Sequence, residues 1–197
     1  SQTDRGAAAI AMCPPSPDGG VGYVMGPELI LNVGCPGGGK SSWAYQAQLH
    51  AAANGRPDTV IISQDDGVNQ RPLTPAACRK QVRAALAAQR RVIVDNTNRD
   101  RKTRATFVEI AAEFGAPARC VYFPTTSELS FHLDALRLDH PNPQFRKHKR
   151  LPAVAIHSYH KNHEPPSLDE GFVAIHPVPF SYDPAITPPD HFRKWHT

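Results

Sequence analysis

Eight consecutive residues, Gly34-Cys35-Pro36-Gly37-Gly38-Gly39-Lys40-Ser41, fit the pattern G-x-x-x-x-G-K-[ST]. Glycines at this density let successive backbone N–H groups turn inward around phosphate oxygens. A helix starting at the end of such a loop directs its positive pole at the same charge. Lys40 is then placed to reach the outer phosphates, and the Ser41 hydroxyl to hold Mg²⁺. The flanks have the required character: Leu29-Ile30-Leu31-Asn32-Val33 reads as a short buried strand, and Ser42 to Leu49 as a helix. The candidate nucleotide contacts are therefore Gly34, Pro36, Gly37, Gly38, Gly39, Lys40, Ser41 and Ser42, and the implied ligand is a nucleoside triphosphate.

Two acidic strand tips complete the set. Arg91-Val92-Ile93-Val94 is a β-branched run ending in Asp95-Asn96-Thr97-Asn98, so Asp95 is expected to help orient Mg²⁺ with Ser41. Its alternative role is a cap or turn, because Asp, Asn and Thr all favour such positions. Thr59 to Ser63 is a second strand, followed by Gln64-Asp65-Asp66-Gly67. Phosphoryl transfer to an alcohol needs a carboxylate near the attacking oxygen, and Asp65, with Asp66 as its rival, stands at the strand edge where open α/β sheets carry out their chemistry. No water-positioning residue of a hydrolase is recognisable, which favours a kinase. His157, His160 and His163 recur every third residue, a spacing that does not converge on a metal as an i, i+4 pair does.

These residues need a scaffold of alternating strands and helices. Thr74-Pro75 opens a helix expected over 76–89, and a second amphipathic helix is expected over 100–114. A fourth strand is expected over 119–123, further helices over 128–138 and 153–163, and a last strand over 172–175. This order predicts an α/β, P-loop kinase-like three-layer fold: a central, mostly parallel sheet with helices on both faces. Residues 1–26, broken by Pro14-Pro15-Ser16-Pro17-Asp18-Gly19-Gly20, read as a flexible arm or linker remnant, leaving 27–197 as one domain. No apolar run reaches membrane-span length. The four scattered cysteines fit a reduced intracellular setting. Net charge is +4, and between 137 and 161 six basic residues face one acid, Asp139, a pattern suited to phosphates.

Four segments in this order carry a more specific likeness: the phosphate loop, Ser63-Gln64-Asp65-Asp66, Val92 to Asp100, and Glu164-Pro165-Pro166-Ser167-Leu168-Asp169-Glu170-Gly171-Phe172. Together they resemble the kinase domain of the polynucleotide kinase 3′-phosphatase family, over about residues 29–180. The resemblance implies transfer of the γ-phosphate of ATP, with Mg²⁺, to the 5′-hydroxyl end of DNA or RNA in end healing and repair. It implies Asp65 as general base, Lys40 and Ser41 as phosphate and Mg²⁺ contacts, and Asp95 as the second acid. Thr97 and Arg104 fall where the family touches the strand, and Arg71 is a looser match to a phosphate-binding arginine. The basic stretch at about 137–152 resembles a lid. Ala135 occupies the position expected for its arginine, leaving Arg137, Arg146 or Arg150 for that role. The nucleophile motif of the phosphatase half, Asp-x-Asp-Gly-Thr, is nowhere in the sequence, so a 3′-phosphatase or ligase partner is implied. A monomer is expected, in the nucleus for a eukaryotic source, with mitochondria as the alternative. Two other readings are a P-loop kinase of a small alcohol and a nucleotide-gated end-binding module without chemistry.

Overall fold

The structure, a computed structural model, describes residues 26–66, 72–141, 146, 149–182, 184 and 187–193. Five parallel strands form one sheet: β1 (Glu28–Gly34), β2 (Val60–Ile62), β3 (Arg91–Val94), β4 (Ala118–Phe123) and β5 (Ala174–Pro177). Their order is β2-β3-β1-β4-β5, so the strand feeding the phosphate loop lies at the centre. Helices α1 (Lys40–Ala53), α2 (Pro75–Ala87), α3 (Arg101–Glu113), α4 (Ser127–Leu136), α5 (Ala153–Asn162) and α6 (Pro189–Arg193) connect or follow them.

Alternation along β1 divides the core. Leu29, Leu31 and Val33 face Cys78, Val82 and Leu86 of α2 and Phe107, Ile110 and Ala111 of α3. Ile30 faces the other way, with Ile93, Val121 and Phe123, onto Trp43, Ala44 and Ala47 of α1. Every residue of β1 is buried, as expected of a central parallel strand covered on both sides. At its amino end Glu28 lies between two arginines, 2.7 Å from Arg91 Nε and 2.7 Å from Arg119 Nε. That buried trio ties β3, β1 and β4 together at the end of the sheet away from the phosphate loop.

The helix starts follow local chemistry. Thr74 caps α2 by accepting from the Ala77 N–H at 3.1 Å, with Pro75 in the first position. Asp100 caps α3 through the Thr103 N–H at 2.8 Å. The strand ends differ from the expectations. β3 stops at Val94, short of the polar residues 95–98, because Asp95, Asn96 and Asn98 bond across loops through their side chains and Asn98 turns into the left-handed region (φ 43°). The last strand begins at Ala174 rather than Phe172, after a one-turn helix (Leu168–Glu170) that closes at Gly171 with φ 96°. Phe172 instead enters the core. The short C-terminal helix α6 has no counterpart among the expected elements; it places Phe192 against Phe180, Tyr182 and His132.

Arg104 corrects an expectation. It is completely buried and faces the inside of the domain, so it is not a nucleic-acid contact. Its Nε and Nη2 each donate to Glu170 at 2.7 Å, and Nη1 donates to Asn98 O at 3.2 Å and Glu164 O at 2.8 Å. A further bond from Nη2 to Pro165 O at 3.5 Å employs the last N–H of the guanidinium. Glu170 Oε1 also accepts from the Ser167 N–H at 2.9 Å, completing a capping box. The Pro-Pro-Ser-Leu-Asp-Glu-Gly-Phe signature is thus a receptor for one arginine of α3. Removing one partner of a buried ion pair leaves the other charge uncompensated. Arg104→Ala is expected to cost about 3–5 kcal/mol in urea unfolding. A loss below about 1 kcal/mol, accompanied by weakened oligonucleotide binding, would restore the surface-contact role.

His163 closes α5 and stacks on Tyr122 and Tyr159, with ring centroids 5.6 and 4.8 Å away. Its Nε2 pairs with the Tyr122 hydroxyl at 3.0 Å. Burial holds its pKa below the ordinary 6.5, so the unfolded chain takes up the proton first. The stabilisation is complete above pH 6.5 and is lost as pH falls through the lower folded value. The melting temperature should therefore fall between about pH 7.5 and 5.5, and fall less in His163→Phe, which keeps the stacking without the titration. Parallel pH profiles for the two proteins would contradict this.

Candidate active site

Gly34 ends β1 where the backbone passes Phe123 so closely that a Cβ would lie 2.8 Å from the Phe123 Cβ. Gly39 sits at φ 91°, a left-handed turn that delivers the chain into α1, whose first residue is Lys40. The loop from Gly34 to Ser41 therefore has the strand-turn-helix setting its sequence demanded, with Ser41 and Ser42 exposed at the mouth. Lys40 is buried, and its ammonium donates to the Cys35 carbonyl at 2.8 Å.

The electrostatics around Lys40 show which charges share the site. Burial lowers its pKa; the Asp95 and Asp65 carboxylates act in the opposite sense, and Arg137 reinforces the lowering. Both acidic strand tips expected from the sequence thus lie within electrostatic reach of the loop lysine, as does one of the three lid arginines. Asp95 is buried, and its Oδ1 accepts from Asn32 Nδ2 at 3.3 Å. It does not cap α3, a role taken by Asp100. Asp65 lies exposed in a one-turn helix (Gln64–Asp66) directly beyond β2, its N–H 3.2 Å from Ser63 Oγ.

The Asp95-Asn96-Thr97-Asn98 loop fixes this arrangement through its hydrogen bonds. Asn96 Oδ1 accepts from the Gln64 N–H at 2.9 Å and so holds the Asp65 turn. Thr97 O accepts from the Gly34 N–H at 3.1 Å and holds the root of the phosphate loop. Asn98 Nδ2 donates to Asn32 O at 2.7 Å.

The expected lid begins at Arg137, the residue that caps the end of α4. Arg137 is half-buried, and burial lowers its pKa, opposed by Asp134. At the far end of the stretch, Asp134 accepts from Arg150 Nε at 3.3 Å and from the Leu151 N–H at 3.2 Å. The Leu151 side chain rests beside Gly37. Arg146 is exposed and donates to His140 O at 2.9 Å. Ala135 is part of the buried interior. Of the expected site residues only Arg71 lies outside the described ones.

A groove of about 430 Å³ opens next to the Asp65 turn. Its floor is Asn96, Thr97 and Asn98, and its walls are the amino ends of α2 and α3, which contribute Arg79 and Lys102. These two basic residues were not among the sequence candidates. The readable signal was their position in the first turns after the Thr74-Pro75 and Asp100 starts. Among the described residues no cluster of His, Cys, Asp or Glu could hold a metal, and no helix is long and apolar enough to cross a membrane. Cys35, Cys78 and Cys120 are buried free thiols, and burial pushes Cys120 up to about 12.

Comparison with known proteins agrees with this architecture. The AAA domain family profile matches residues 29–166. A Schizosaccharomyces pombe protein named bifunctional polynucleotide phosphatase/kinase is 32% identical over 155 residues, covering 78% of this chain and 34% of that protein. The chain spans about a third of the length of the curated relatives it matches. Among solved structures, Chaetomium thermophilum Kti12 in complex with ADP-AlF3 superposes with a TM-score of 0.56 at 18% identity, covering 85% of this chain and 97% of that one. A gluconokinase from Sinorhizobium meliloti gives 0.54 at 18% identity, covering 88% and 94%. A phosphate loop on the central strand of a five-stranded parallel sheet, matched across 29–166, makes this chain a member of the AAA domain family with a P-loop kinase-like fold.

Proposed function

We propose that the chain transfers the γ-phosphate of ATP to the 5′-hydroxyl end of a polynucleotide. The observation that carries this reading is the groove beside the Asp65 turn, which has Arg79, Arg99 and Lys102 in its lining. A small polar acceptor needs an enclosed pocket with converging hydrogen-bond partners. A polynucleotide end needs a channel whose cations meet the following phosphates while its first hydroxyl reaches the carboxylate. The name of the Schizosaccharomyces pombe relative supports the same acceptor class.

In this reading Asp65 accepts the proton of the 5′-hydroxyl as its oxygen attacks the γ-phosphorus, and the bond to the β,γ-bridging oxygen breaks to release ADP. Lys40 and Arg137 neutralise charge developing on the transferred group. Thr97, on the groove floor, meets the strand near its end, and basic residues beyond it hold backbone phosphates without reading sequence. The residues present suit Mg²⁺: the Ser41 hydroxyl is exposed at the loop mouth, and Asp95 offers a buried carboxylate oriented by an amide. Held by Ser41 and Asp95, the cation would supply positive charge to offset that of the phosphates.

The test is labelled phosphate transfer from ATP to an oligonucleotide with a free 5′-hydroxyl. Asp65→Ala is expected to lower kcat by at least about a hundredfold while ADP affinity stays within about twofold. Substantial activity in that variant would remove Asp65 from the role.

A further inference from the structure

Asn32 is a fully buried amide on the central strand, in a run otherwise made of Leu, Ile and Val. Burying an amide without partners is costly, so its bonds reveal what it is for. The β1–β3 register pairs Leu31 with Val94, which makes Asn32 and Asp95 the next rung. Side chains on paired residues of parallel strands emerge on the same face. Here that face is the one carrying Ile30, Ile93 and α1, directly beneath Lys40.

Asn32 Nδ2 is shared between Asp95 Oδ1 at 3.3 Å and the Lys40 carbonyl at 3.4 Å. The opposite amide orientation would set three oxygens against one another, so the nitrogen must face these two acceptors. Its Oδ1 then points away and, although buried, has no hydrogen-bond partner among the described residues. The main-chain oxygen of Asn32 is taken by Asn98 Nδ2 at 2.7 Å. One side chain therefore joins the second acid to the first residue of the phosphate-loop helix through its nitrogen alone.

We infer that Asn32 is a positioning residue for the cation that accompanies the nucleotide. Its N–H holds the Asp95 carboxylate in place, so that the cation meets that carboxylate in one fixed orientation. Lys40 and the loop amides bind the phosphates without this help, so Asn32 affects the metal-dependent part of nucleotide affinity and not the rest. The inference rests on the nucleotide half of the proposed function alone, so a titration without polynucleotide separates the two.

The experiment measures ADP affinity by calorimetry with excess Mg²⁺ and with chelator, in wild type, Asn32→Leu, Asn32→Ala, Asp95→Asn and Asn32→Leu/Asp95→Asn. Asn32→Leu should reduce the gain in affinity on adding Mg²⁺ by about tenfold, the scale of a hydrogen bond to a charged group, and leave metal-free affinity within about twofold. In the Asp95→Asn background it should add no further loss, because the group it acts through is gone. An unchanged Mg²⁺-dependent gain in Asn32→Leu overturns the inference. So does an equal fall in metal-free affinity, or the same tenfold loss in the Asp95→Asn background. Failure of both Asn32 variants to fold also overturns it, since the amide would then be a requirement of the core.

Discussion

The site depends on a short hydrogen-bonded bridge between two neighbouring strands. Asn98 donates to Asn32 O, Asn32 donates to Asp95, and Thr97 O takes the first N–H of the phosphate loop. Asn96 extends the same bridge to the Asp65 turn. A polar loop at the end of a buried sheet has to satisfy its backbone and amide groups, and here each pairing also fixes a functional element. If the loop were displaced, Asp95, Asp65 and the phosphate loop would lose their common reference.

The bridge is held from outside by Arg104, whose guanidinium reaches Asn98 O from α3 while its other donors hold Glu170 and the Pro-Pro segment. That arginine links the buried side of α3 to the strand tips and to the 164–170 segment. A rigid base of this kind is what phosphoryl transfer requires, because most of the catalytic work lies in positioning and fixed charge. Near the phosphate loop, Asp134 anchors Arg150 and Leu151, and Arg137 lies within electrostatic reach of Lys40. Both ends of the stretch expected to form a lid thus lie near that loop.

The sheet and the cradle were legible because their signals are local. Glycine spacing, an apolar strand and a following helix have one physical solution, and the Thr74 and Asp100 caps mark their helices by a single hydrogen bond each. Arg104 was placed at the nucleic-acid strand by resemblance, and its own position in the first turns of an amphipathic helix looks the same in sequence whether it faces solvent or a buried glutamate 66 positions away. Glu28 and its two arginines were hidden for a related reason: three strands must pair before the charges meet. Asn32 passed as one polar residue in an apolar strand, since only the β1–β3 register shows it to be the neighbour of Asp95. The groove was legible in its floor but not in its walls, because Arg79 and Lys102 converge only when α2 and α3 pack side by side.

Fold alone does not choose the acceptor, since the scaffold is shared with a gluconokinase. What favours a polynucleotide here is a groove beside the Asp65 turn with Arg79, Arg99 and Lys102 in its lining. The most direct test presents wild-type protein and γ-labelled ATP with a DNA oligonucleotide bearing a 5′-hydroxyl, its RNA equivalent, the 5′-phosphorylated DNA and a set of small alcohols including gluconate. Label on the 5′-hydroxyl oligonucleotides alone, falling as salt is raised, is the expected result. Label on a small alcohol in preference to any oligonucleotide would contradict the account.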